Sequence, residues 1–308
     1  MSAAAEKPLV CLGEALVDLI CPDPVADRSE ATRFEVHCGG ALANVAVAAA
    51  RAGTPAALAS ACGDDDRGRY LRSRLAAIGV DLTFYGVVAG APTPFAFAHL
   101  DLGLEPAFEI HGTGIDAAIA SLAGREGEIV GAAGAIVFGS NTLVDERSRA
   151  VTEAAFDRAR AAGVPLLFDP NLRPGRWADA AAARERCLPY VAATDILKCN
   201  LGEARWLLDD GEVATAADAA EALAALGPTL AVVTAGTAPA AARGACAADV
   251  VPPDVELVSP LGAGDAFMGT LAAGLHAGGF ELAGCGEALA AAAEQGALAC
   301  THLGAFPR

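Results

Sequence analysis

The chain has 308 residues, 54% hydrophobic but only 5% aromatic, with 38 acidic against 21 basic side chains and a formal net charge of -17. This length suits about two domains or one large α/β domain, with a core drawn mostly from Ala, Val and Leu. With no run of Lys and Arg, such acidity argues against nucleic acid or an anionic membrane surface as a partner.

The nine cysteines (11, 21, 38, 62, 187, 199, 246, 285, 300) are scattered, odd in number and without a C-x-x-C pair. That pattern predicts reduced, buried thiols, not a disulfide framework or a zinc site. The five histidines show no metal-ligand spacing, and the N-terminal Met-Ser-Ala-Ala-Ala-Glu-Lys-Pro is no signal peptide. Ala-rich stretches are interrupted by Asp, Glu, Pro or Gly before they could span a bilayer. The expected setting is cytoplasmic.

In chain order, short apolar runs end in polar or glycine turns and lead into Ala-rich amphipathic segments. Leu9–Leu12 ends at Gly13-Glu14, and Ala56–Cys62 at Gly63-Asp64-Asp65-Asp66, before a helix over Arg67–Ile78. Ala135–Phe138 ends at Gly139-Ser140-Asn141, and Pro165–Phe168 at Asp169-Pro170-Asn171. Asp195–Leu197 ends at Lys198-Cys199-Asn200, Leu230–Val233 at Thr234-Ala235-Gly236, and Val255–Val258 at a small-residue turn. Strand–helix alternation of this kind predicts a mostly parallel sheet flanked by helices, with ligands beyond the carboxyl ends of the strands. Residues 14–37 and 94–111 break the pattern, reading as β-rich without helices. They predict a small β lid on a single α/β domain covering 1–308.

Four constellations could carry chemistry. Ser259-Pro-Leu-Gly-Ala-Gly-Asp265 joins a β-prone run to a helical segment beginning near Met268. Unpaired N–H groups at Gly262, Ala263 and Gly264 suit an anion, and Asp265 beside them is placed to take a proton from a hydroxyl. An anion hole with a base is what phosphoryl transfer to an alcohol requires; the plain alternative is a turn whose Asp caps a helix. Gly39-Gly40 lets a ligand lie on the backbone, with Asn44 one helical turn later. Asp169-Pro-Asn171-Leu-Arg173 gathers a carboxylate, an amide and a guanidinium suited to hydroxyls and a phosphoryl group, or forms an Asp-Pro turn. Asn200-Leu-Gly-Glu203 either holds Mg²⁺ through water or is a helix capping box. The run from Gly112 to Ala117 imitates a dinucleotide fingerprint but lacks the acidic residue at the next strand end.

Together with Gly13-Glu-Ala-Leu-Val-Asp18, Gly63-Asp64-Asp65 and Val233-Thr234-x-Gly236, these motifs resemble, in order and over nearly the whole chain, the PfkB-type (ribokinase-like) carbohydrate kinases, fructokinases above all. The resemblance implies a Rossmann-like fold with a β lid that often mediates dimers, so a homodimer is expected. It implies transfer of the γ-phosphate of ATP to a hexose hydroxyl with Mg²⁺, and leaves a use of K⁺ open. By position, Asp265 becomes the base, the Gly262–Gly264 turn the anion hole, and Arg173 a neighbour of sugar and phosphate. Asp18, Gly39, Gly40, Asn44, Asp169 and Asn171 become sugar ligands. Asn200, Thr234, Gly236 and, more loosely, Gly304 fall beside the nucleotide, with Glu203 by Mg²⁺. The family's usual Asp-Thr before the turn is Ser259-Pro260 here, and Pro239 replaces a loop glycine. Rival readings are a 2-keto-3-deoxygluconate kinase, a nucleoside kinase, and a catalytically weak sugar-binding relative.

Overall fold

The computed structural model describes residues 7–307. Nine strands form one sheet: β1 (Leu9–Leu12), β4 (Ala56–Gly63), β5 (Tyr85–Val88), β8 (Ala135–Gly139), β9 (Leu166–Asp169), β10 (Ile196–Asn200), β11 (Leu230–Ala235), β12 (Ala238–Gly244) and β13 (Ala248–Val250). Their order is β13-β12-β11-β10-β9-β8-β1-β4-β5. All neighbours from β5 to β11 run parallel, and only the β11–β12–β13 edge is antiparallel. The apolar runs of β1, β4, β8, β9 and β11 are continuous, not alternating, because helices cover both faces of the sheet.

The second sheet comprises β2 (Leu16–Ile20), β3 (Glu35–Gly39), β6 (Phe95–Leu100) and β7 (Pro106–His111), in the order β3-β2-β6-β7. It draws on both segments that break the alternation. Residues 21–34 between β2 and β3 form no strand, only turns with a short 3-10 segment at Arg28–Glu30 held by the Asp27 carboxylate.

The helices that matter for the site start at strand ends: α1 (Ala41–Arg51) after β3, α7 (Leu201–Leu208) after β10, and α9 (Ala263–Ala277). They belong to a set that also includes α2 (Asp66–Ile78), α3 (Thr113–Ala120), α4 (Glu126–Ala132), α5 (Glu146–Ala162), α6 (Ala180–Ala193), α8 (Ala216–Ala224) and α10 (Cys285–Ala299). Small residues let α1 and α9 pack closely: a Cβ at Gly269 of α9 would fall 2.5 Å from Ala48 Cβ and from the Val45 carbonyl oxygen of α1.

Two expectations are corrected. Val255–Val258 is not a strand: it runs irregularly, largely exposed, and the Val258 and Ser259 amides donate to the Cys300 carbonyl at 2.8 and 3.1 Å. These apolar, β-prone residues meet the C-terminal end of α10 and, among the described residues, pair with no strand. Nor are all cysteines reduced. Cys246, just before β13, is bonded to Cys285 at the start of α10, and the remaining seven are free. A separation of 39 residues hides that pairing in the sequence, and the packing of α10 beside β13 brings the two together. Among the described residues, no helix is long and apolar enough to cross a membrane.

Candidate active site

Strand order reverses between β1 and β8: the chain steps outward to β4 and β5 on one side, and to β9, β10 and β11 on the other. A crevice opens beyond the strand ends at such a switch point. Here a narrow cavity, with about 50 Å³ of room, is lined by Glu14, Asp18, Gly40, Asn44, Asn141, Arg173, Gly262 and Asp265. Leu16, Ala96, Phe108, Ile110 and Ile115 supply an apolar wall, most of it from the second sheet. Two larger cavities, of about 400 and 340 Å³, are also present, and the second adjoins this one through Asn44 and Ala305. The first opens among Gly163, Thr194, Asp195 and Gly227, at the opposite end of the parallel strands from the switch point.

The turn into α9 sets the centre. Gly262 is left-handed at φ 83°, and a Cβ there would fall 2.3 Å from Ala305 Cα, so only glycine fits. Asp265 follows in the first helical turn, 5% exposed, near the positive end of the helix dipole. Two amides hold its carboxylate: Asn44 Nδ2 donates to Oδ2 at 2.8 Å and Asn171 Nδ2 donates to Oδ1 at 2.9 Å. Burial pushes Asp265 up to about 6; the Asn44 bond, Arg173 and Lys198 hold it down, while Asp169 pushes it further up. Asp18 rises to about 7 through burial and the nearby Asp265 charge, against the pull of Arg173. A base whose titration lies near neutrality suits proton abstraction from an alcohol.

Asp18 projects from β2 over Gly39, where a Cβ would stand 1.9 Å from its Oδ2. Gly40 takes φ 94° and packs on the backbone of Glu14 and Ala15, which opens the way into α1. Arg173 leans across to the second sheet, its guanidinium 5.4 Å from the centre of the Phe108 ring on β7. It is the only cation among the cavity-lining residues, against three carboxylates, Glu14, Asp18 and Asp265.

Other expected residues lie outside that cavity. Asn171, with φ 41°, stands behind Asp265 and orients it. Asp169 is buried and paired through Oδ2 with Lys198 Nζ at 2.8 Å, and it does not line the cavity. The Ala263 amide donates to the Pro260 carbonyl at 3.2 Å, which leaves a smaller anion hole than three free N–H groups. Ser259 Oγ accepts from the Leu261 amide at 3.2 Å, so Ser259-Pro260 shapes the turn itself.

Asn200 and Thr234 are register partners at neighbouring strand ends, and Gly236 follows in the exposed β11–β12 turn. Pro239, without an N–H, sits where the β11–β12 ladder is irregular. Asn200 and Glu203 form a capping box at the start of α7. The Glu203 carboxylate accepts from the Asn200 amide at 3.0 Å and the Leu172 amide at 2.7 Å, so backbone groups occupy both oxygens. Burial and Asp169 push its pKa up, opposed by Lys198 and those two amides. Gly304 packs against His37 of β3, where a Cβ would stand 2.5 Å from Nδ1. No group of three or more His, Cys, Asp or Glu is gathered as a metal cage among the described residues.

Glu14 and Asn141 were not singled out from the sequence, yet they flank the switch point just beyond the ends of β1 and β8. Asn141 Nδ2 donates to Glu14 Oε1 at 2.8 Å, while Glu14 Oε2 and Asn141 Oδ1 are buried without a partner. Buried polar atoms are rarely left unpaired, so these two mark a place for ligand hydroxyls. The available signal was their position at two strand ends that a doubly wound order makes adjacent.

The whole described chain also matches a known family: the pfkB family carbohydrate kinase model covers residues 6–307. The chain belongs to the pfkB family of carbohydrate kinases. It is similar to a fructokinase of Klebsiella pneumoniae, 34% identical over 96% of this chain and 94% of that one. Rice fructokinase-1 (Oryza sativa subsp. japonica) is 33% identical, and that match spans 67% of this chain but only 64% of the rice protein. Two solved structures superpose well. One, a Xylella fastidiosa fructokinase with bound ATP, has TM-score 0.81 and 26% identity over 97% of this chain and 93% of that chain. The other, a putative ribokinase from E. coli in complex with ATP and Mg²⁺, has TM-score 0.82 and 25% identity over 97% and 94%.

Proposed function

We propose that this pfkB-family protein is an ATP-dependent sugar kinase acting on a hexose hydroxyl, with fructose the best-supported acceptor. The observation that carries the reading is Asp265: a buried carboxylate at the N-terminus of α9, held by Asn44 and Asn171 at the floor of a polar cavity. A hydroxyl entering between Asp265 and the Gly262–Gly264 turn gives its proton to Asp265 as its oxygen attacks the γ-phosphorus, and the bond from that phosphorus to the bridging oxygen breaks, releasing ADP. The turn's N–H groups and Arg173 face the charge that gathers on the transferring group. Asp18, Asn44, Glu14 and Asn141 orient the acceptor through its other hydroxyls, and the second sheet excludes water. Gly39 and Gly40 let the sugar approach the backbone.

The N-terminus of α9, with Lys198 Nζ close by, suits phosphate. Mg²⁺ neutralises phosphate charge when bound, and without a protein cage it would be held through water and the phosphates beside Asn200 and Glu203. Thr234, Gly236 and Gly304 lie toward the expected nucleotide end.

A neutral sugar is favoured over 2-keto-3-deoxygluconate because three cavity carboxylates oppose one arginine, which leaves no spare cation for a substrate carboxylate. Arg28, in the connection between β2 and β3, pairs instead with Glu109 of β7 at 2.6 Å. The test is release of ADP on mixing the protein with Mg-ATP and, in turn, fructose, other hexoses, 2-keto-3-deoxygluconate and nucleosides. Turnover greatest with fructose supports the reading; preference for the keto-acid or a nucleoside overturns it. Sugar binding by calorimetry without turnover of any acceptor would make the protein a binding module.

A further inference from the structure

Lys198 is the one charged side chain on β10, and no feature of the sequence marks it as special. Its side chain and that of its partner Asp169 on β9 are each only 4% exposed, with Nζ 2.8 Å from Oδ2. The ammonium sits beneath the start of α9: a Cβ placed on Gly264 would lie 3.2 Å from Nζ. A buried ion pair is a poor source of stability, because removing both charges from water largely cancels their attraction. Here the balance is worse still, since Asp169 Oδ1 is buried without a partner. A pair of this kind, set directly under the turn that carries the proposed base, calls for a functional account.

We propose that Lys198 is a positioning residue for phosphoryl transfer: clamped by Asp169, its ammonium fixes the charge and geometry of the turn bearing Gly264 and Asp265. The inference rests on the reading of Asp265 as base. Four carboxylates gather around the turn: Asp18 from β2, Asp169 from β9, Glu203 from α7 and Asp265 itself. Among the described residues, Arg173 and Lys198 oppose them. Without Lys198 the incoming phosphoryl group would meet a floor more negative by one charge. Burial alone would push Lys198 down, but Asp169, Glu203 and Asp265 raise it above its usual value, so it stays charged. Lys198 and Asp169 also act in opposite directions on Asp265.

The test compares Lys198→Met, the neutral double variant Asp169→Asn/Lys198→Met and Asp265→Asn with the wild type, reading Tm, the kcat and KM of sugar and ATP, and the pH profile. Expected for Lys198→Met is a fall in kcat of about 100-fold with the sugar KM within about threefold, and an acid limb displaced to higher pH. The double variant has no unpaired buried charge, so it is expected to recover Tm but not kcat. Recovery of both would reduce the pair to a structural element and overturn the proposal, as would an unshifted acid limb in Lys198→Met with kcat intact. If Lys198→Met does not fold, the double variant alone decides between these outcomes. Full activity in Asp265→Asn would instead overturn the reading of the base, a failure separate from that of Lys198.

Discussion

Asn44 of α1 donates through Nδ2 to Oδ2 of Asp265 on α9 at 2.8 Å, closing a contact across 221 residues of chain. The bond explains why a Gly-Gly entry to one helix and a Gly-Ala-Gly entry to another belong to one site. It stabilises the charged carboxylate and so opposes the burial that raises Asp265 to about 6. Replacing Asn44 by Ala removes that support. The acid limb of kcat/KM is expected to move above pH 6, with activity at pH 6 falling further than activity at pH 8. A pH–rate profile checks this, and an unchanged limb would contradict the assignment.

Asp265→Asn tests the chemistry and the energetics together. Loss of the base should lower kcat by roughly 10²–10⁴. Because folding raises this carboxylate's pKa, its favourable contribution is complete below the unfolded value near 4 and is lost as pH rises through about 6. The variant should therefore lose less stability than wild type between pH 4 and pH 8, by on the order of 2 kcal/mol. Parallel denaturant titrations at those two pH values measure the difference.

Glu14 and Asn141 leave Oε2 and Oδ1 buried and unpaired in the cavity. A sugar hydroxyl paired there makes a charge-assisted bond, worth about 1.5–3 kcal/mol. Glu14→Gln should lower kcat/KM for the acceptor about tenfold and leave the KM for ATP near wild type. An equal effect on both substrates would place Glu14 outside acceptor recognition.

Gly262→Ala places a methyl group against Ala305 in left-handed backbone. Strain of this kind costs about 1–3 kcal/mol, so a lower Tm is expected, with kcat falling as the turn shifts. Full retention of both would mean that the turn tolerates a side chain.

The Cys246–Cys285 bond ties the β12–β13 edge to α10, which packs on α9. Reduction should lower stability by about 3 kcal/mol, read as a drop in the denaturant midpoint. Mass spectrometry after alkylation of the denatured chain without reductant should show seven modified cysteines out of nine.

Much was legible in the chain because it depends on local order. Continuous apolar runs ending in polar turns specify parallel strands buried on both faces, and Gly-Gly and Gly-Ala-Gly entries specify helix starts open to a ligand. Those patterns placed Asp18, Gly40, Asn44, Arg173, Gly262 and Asp265 around one cavity. Val255–Val258 has the same local signature, but its end is tied to the Cys300 carbonyl after α10 and not to a neighbouring strand, and strand pairing is a property of neighbours. Partnership across the fold was invisible for the same reason. Asp169 reads as a ligand until Lys198 on the adjacent strand takes its charge, and Glu14 reads as a turn residue until the reversal of strand order sets Asn141 beside it. Cys246 and Cys285 become partners only when α10 packs beside β13. The sequence by itself determined the class of fold and singled out the Gly262–Gly264 turn and Asp265 for the roles proposed above. Tertiary structure alone decided which polar groups face the ligand and which face one another, because burial and charge pairing depend on distances that no sequence spacing records.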